Sequence, residues 1–88
     1  MRIKENLVLK EIAGAYVVLP VGAATIDFTG ILSLNESGTM LWRLLEKGAT
    51  REELVKAITS EYDVEEDVAF SDVDEFIAKI TEADCLDI

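Results

Sequence analysis

The chain has no histidine, and Cys85 is its only cysteine. Ser–His and Cys–His nucleophile pairs cannot be assembled from it, nor can a zinc site of the usual Cys/His kind. The reactive groups that remain are carboxylates. Asp63, Glu65, Glu66 and Asp67 crowd one short stretch, and Asp72, Asp74 and Glu75 follow closely. Paired carboxylates can act as general acid and base, and a ring of them can hold calcium. The D-x-D-x-D-G spacing of a calcium loop is missing, and no Gly-rich phosphate loop lies nearby. Carboxylates at a helix start complement the helix dipole, and the remainder read as a solvated helix face. The expectation is a protein without catalysis, metal or cofactor. Cys85, between Asp84 and Leu86, reads as a small buried hydrophobe.

The charge is unevenly spread. Of 88 residues, eight are basic and eighteen acidic, a net charge of −10. Residues 1–51 carry six basic and five acidic groups, whereas residues 52–88 carry two basic and thirteen acidic ones. Nucleic-acid affinity comes largely from Lys and Arg displacing counterions from phosphate, so the second half would repel a nucleic acid. The uncharged run from Ile12 to Ala24 is too short to span a bilayer, which takes about 20 apolar residues. Glu5 and Glu11 precede it, which does not suit a secretory signal. Together with a solitary cysteine this predicts a cytoplasmic protein without a membrane partner. A chain of 88 residues, half of them hydrophobic, is expected to form one domain over residues 1–88, too small for a large catalytic cleft.

The apolar residues show which elements must position these groups. Leu7–Ile12 and Tyr16–Leu19 are rich in β-branched and aromatic residues. With Gly14-Ala15 between them they predict a hairpin closed by a type II′ turn. Pro20 and Gly22 end that ladder. Ile26 and Phe28, then Leu32 and Leu34, alternate around Thr29-Gly30, which predicts a second hairpin reaching Ile31–Leu34. The period then becomes helical. Asn35 is a capping residue, Met40, Leu41, Leu44 and Leu45 share a face beside Trp42, and Gly48 stops the helix. Thr50 and Glu53 form a T-x-x-E capping box for a second helix, with Leu54, Val55, Ile58 and Tyr62 inward. A third and longest helix starts near Glu65, repeats Ala69, Val73, Phe76, Ile77 and Ile80, and ends at Asp84. Antiparallel strands followed by three short-looped helices give an α+β fold of winged helix-turn-helix character.

The run Leu34-Asn35-Glu36-Ser37-Gly38, then Trp42, Leu45, Gly48, Thr50 and Leu54, resembles the PqqD family, which includes the small peptide chaperone of pyrroloquinoline quinone biosynthesis. It follows that family's L-N-x-[ST]-[AG] helix start and Gly-Thr turn. Tyr62-Asp63-Val64, Asp72-Val73, Phe76 and Ala83 extend the likeness, which runs from Leu7 to Leu86. Two features depart from it: Asp84 stands where the family commonly has Gly, and Val21–Thr29 is longer than in the quinone-pathway members. The resemblance implies a non-catalytic module that recognises the leader of a ribosomally made precursor peptide. In such modules the leader adds as a strand beside the last sheet strand, here Ile31, Leu32, Ser33 and Leu34. It lies against the third helix, here at Asp74, Ile77, Ala78 and Thr81. The implied second partner is a modifying enzyme, often a radical S-adenosylmethionine enzyme, and the implied state is monomer or homodimer. The competing reading of the same helix order is a winged-helix transcriptional regulator binding DNA, which the acidic second half disfavours. An enzyme subunit is disfavoured by the missing histidine.

Overall fold

The computed structural model describes residues 1–21 and 32–87. Three strands, β1 (Leu7–Ile12), β2 (Ala15–Pro20) and β3 (Leu32–Leu34), precede three helices, α1 (Glu36–Lys47), α2 (Arg51–Glu61) and α3 (Glu66–Glu82). The strands form an antiparallel sheet in the order β1-β2-β3. This is the α+β, winged-helix-like arrangement that the sequence predicts.

The first hairpin closes one residue earlier than predicted. Ile12 pairs with Ala15, so the two-residue loop is Ala13-Gly14. Both residues have positive φ, 52° and 83°. That is the type I′ pattern, with Gly14 in its second central position rather than the first of a type II′ turn. The type I′ loop matches the twist of the flanking strands, and glycine takes the more positive φ without strain. Of the second predicted hairpin, Thr25–Ile31 lies outside the described residues, and β3 is described from Leu32.

Side-chain caps start both α1 and α2. Asn35 Oδ1 accepts from the Gly38 N–H at 2.8 Å, and Thr39 Oγ1 donates back to the Asn35 carbonyl at 2.8 Å. Gly48 ends α1 with φ 97°. The capping box at α2 is complete: Thr50 N–H donates to Glu53 Oε1 at 2.9 Å and Glu53 N–H to Thr50 Oγ1 at 3.1 Å. At the end of α3, Cys85 N–H donates to Ile80 O and Asp84 N–H to Thr81 O. This is a Schellman motif whose left-handed residue is Asp84, φ 60°, where a glycine would sit without strain. Its side chain is held by Lys4 at 2.8 Å.

The core lies between sheet and helices. Val18 and Leu34 come from the sheet, Leu41, Trp42 and Leu45 from α1, Leu54, Val55 and Ile58 from α2, and Ala69, Val73, Phe76 and Ile80 from α3. Burying each large side chain contributes about 1.5–3 kcal/mol. Met40 and Leu44, read from periodicity as facing inward, are half-buried at the flanks of that stripe. Trp42 is fully buried, and its Nε1–H finds no acceptor among the described residues. Cys85 is equally buried, and burial pushes its thiol up to about 11. The segment ahead of β1 is stitched to the chain end by the Ile3–Leu86 bridge and by bonds from Lys4 N–H to Cys85 O and Asp87 N–H to Arg2 O. Among the described residues no helix is long and apolar enough to cross a membrane.

Candidate functional site

Among the described residues β3 is an edge of the sheet, and beside it the structure opens a groove of about 860 Å³. Its floor is apolar and buried: Leu34 of β3, Leu41 of α1, Ile58 of α2 and Phe76 of α3. One rim is the exposed Ser33. The opposite rim is α3, which presents Asp72, Glu75, Ala78, Lys79 and Glu82.

The helix-start motif shapes one end of this groove. Asn35, Ser37 and Gly38 all line it. A Cβ on Gly38 would lie 3.0 Å from the capping Asn35 Oδ1 and 3.5 Å from the Phe76 ring. Glycine therefore allows a side-chain cap and an aromatic floor to meet at one turn of α1. The cap that starts the helix and the space beside α3 depend on the same residue.

The edge itself is engaged. Lys79 Nζ donates to the Ser33 carbonyl at 2.9 Å across the groove. The Ser33 C=O thus faces α3 rather than β2. Backbone groups of successive strand residues point to alternate sides, so Ser33 is the outward residue of β3, and Leu32 and Leu34 are those that bond inward to β2. The register agrees with one outward residue between two inward ones: Tyr16 opposes Leu34, Val17 opposes Ser33 and Val18 opposes Leu32.

A second cluster holds α3 in place as the wall. Arg51, the first residue of α2, donates to both carboxylate oxygens of Asp74, from Nε at 2.6 Å and from an Nη at 2.8 Å. Its guanidinium also lies 4.5 Å from the centroid of the Phe70 ring. Paired hydrogen bonds from Arg51 hold the Asp74 carboxyl below its ordinary value, against a smaller desolvation effect. Both side chains are solvent-exposed, so the pair orients the helix more than it stabilises the fold.

Residues 9–86 match the family described as Coenzyme PQQ synthesis protein D (PqqD). The chain belongs to the PqqD family. It is similar to a solved chain described as "TbiB1 in Complex with the TbiA(beta) Leader Peptide", at 28% identity and a TM-score of 0.78, covering 99% of this chain and 95% of that one. It also shares its fold with "Lasso peptide synthetase B1 complexed with the leader peptide", at 21% identity and a TM-score of 0.72, covering 92% and 89%. No curated protein matches the sequence.

In this PqqD-family chain the residues singled out from sequence do not all converge. Ser33, Leu34 and Ala78 line the groove. Leu32 is half-buried in β3, and Ile31 lies outside the described residues. Asp74 is turned to Arg51 on α2, Ile77 packs half-buried against the core, and Thr81 is exposed away from the groove lining. Beside Ala78, α3 also brings Asp72, Glu75, Lys79 and Glu82 to the groove, a stripe displaced by about one residue or 100° around the helix. One signal for it existed: Lys79 is the only cation in α3.

Proposed function

We propose that this protein binds the leader segment of a ribosomally made precursor peptide by strand addition to β3 and presents it to a modifying enzyme. The observation that carries the reading is an edge strand with an outward carbonyl at Ser33, set beside an apolar-floored groove walled by α3. Main-chain bonds to such an edge supply affinity, and pockets beside it select side chains. The similarity to TbiB1, described in complex with a leader peptide, supports the same occupant here. The proposed site is Ile31–Leu34 together with the α3 wall around Ala78. The role is a chaperone's, without chemistry of its own. Its enzyme partner is a radical S-adenosylmethionine or other peptide-modifying enzyme, and its compartment the cytoplasm. The protein works as a single domain, monomeric or homodimeric. DNA binding is not favoured, because α3 carries six carboxylates besides its single lysine and would repel phosphate.

The test is titration of isotope-labelled protein with the leader of its precursor peptide, captured by pull-down from native cell extract, read by amide chemical shifts. The largest shifts should fall on Ser33, Ala78 and Lys79. Shifts confined to β1, or none at saturating peptide, would refute the site.

A further inference from the structure

We propose that Lys79 is an internal stand-in for the guest peptide, and that the groove selects a leader segment carrying Lys or Arg. The proposal rests on the strand-addition reading above and names the chemistry of its occupant. In strand addition, a guest N–H must reach the outward Ser33 carbonyl. That position is already filled, at 2.9 Å, by the Lys79 ammonium. Ser33 is exposed, so water can also reach this carbonyl, and Lys79 competes with water for it from the opposite wall. A guest strand therefore exchanges one donor for another at Ser33 and displaces the Lys79 ammonium from the strand edge.

The charges left behind define what is welcome there. Besides Lys79, the charged residues lining the groove are Asp72, Glu75 and Glu82. None of the three is in an ion pair among the described residues, where the only pairs are Lys4–Asp84 and Arg51–Asp74. Glu75 and Glu82 sit four residues before and three after Lys79, so both share its face of α3. Once the ammonium has swung away from Ser33, a guest with Lys or Arg restores positive charge beside these carboxylates. A guest with Asp or Glu there meets like charge, which lowers its affinity and association rate.

The test is selection of binders from a displayed library of random twelve-residue peptides, with the Ser33→Pro variant as counter-target. One enriched peptide is then synthesised with a fluorophore and titrated by anisotropy. Peptides that bind the wild type but not Ser33→Pro should contain more Lys and Arg than Asp and Glu. Lys79→Met, which keeps an unbranched apolar stem and removes the donor, should bind the peptide roughly threefold to tenfold tighter. Glu75→Gln with Glu82→Gln should weaken it by a similar factor at low salt and less at high salt. Binders that require Ser33 yet show no basic excess, or an unchanged or weaker affinity in Lys79→Met, overturn this inference and leave the site standing. Binders indifferent to Ser33→Pro, or an empty selection, overturn the site itself. Circular dichroism melts of each variant separate lost binding from lost fold.

Discussion

The sheet has two edges, and they meet solvent differently. The outer edge of β1 is six residues long and ends in Lys10, Glu11 and Ile12, all exposed, Ile12 by 51%. Charged side chains are a common protection for such an edge, because a guest strand would have to desolvate them. The edge of β3 is described over only three residues, yet α3 stands beside it, and an apolar floor lies between the two. Among the described residues neither edge is paired with a further strand. Only the second is shown to offer a place for the guest's side chains. A usable edge is made by its wall as much as by its strand: β3 owes its groove to helices that come later in the chain.

Proline separates inward from outward residues of β3 most directly. Leu32→Pro deletes a donor that bonds to β2 and should destabilise the sheet by about 3 kcal/mol or more, read in urea unfolding. Ser33→Pro deletes an outward donor and should leave the melting temperature within a few degrees of wild type while abolishing leader binding. If the two exchange phenotypes, the outward residue has been misassigned. Next in size is the wall. Ala78→Arg fills the groove from an exposed position, so leader affinity should fall at least about tenfold with the thermal midpoint unchanged. Unaltered affinity in a folded variant would return β1 to consideration as the docking edge.

A smaller effect is expected where α3 is held in register. Asp74→Asn removes the charge that Arg51 grips, and should lower the melting temperature by no more than a few degrees at neutral pH. The folded carboxyl lies below its ordinary 3.8, so the pair stabilises fully above that value and loses its contribution as pH falls through the depressed one. The gap between wild type and variant should therefore close well below pH 3.8, and a constant gap would mean that the ion pair is not its cause. Smallest of all is Asp84→Gly at the far end of the wall. It relieves a left-handed backbone but releases Lys4, just ahead of β1, so a midpoint equal to or slightly above wild type is expected. A clear fall would show that the surface pair ties the segment ahead of β1 to the end of α3.

Much of this frame can be read from local chemistry. Asn35, Gly48 and the Thr50–Glu53 box mark helix ends because each satisfies backbone groups within four residues of itself. The stripe Ala69, Val73, Phe76 and Ile80 likewise shows itself by period. The first turn lies one position before the expected one because Ala13 adopts positive φ, which its residue type does not advertise. The wall was harder to assign. On α3 the stripes on both flanks of the core face mix carboxylates with apolar residues, and periodicity does not say which flank faces β3. That is set by how the helix crosses the sheet, and by the Arg51–Asp74 grip that turns one flank toward α2. The contact between Lys79 and Ser33 spans 46 positions in sequence, beyond any local pattern.

The cysteine at the end of α3 has a kinetic consequence. Cys85 is closed to solvent and its thiol is pushed up to about 11, so at neutral pH only on the order of one molecule in ten thousand presents a thiolate. An alkylating reagent must wait for the last turn of α3 to come away from the body of the protein. The rate of alkylation is then a clock for the loosening of the groove's far wall. A bound leader, by bracing that wall, should slow the clock.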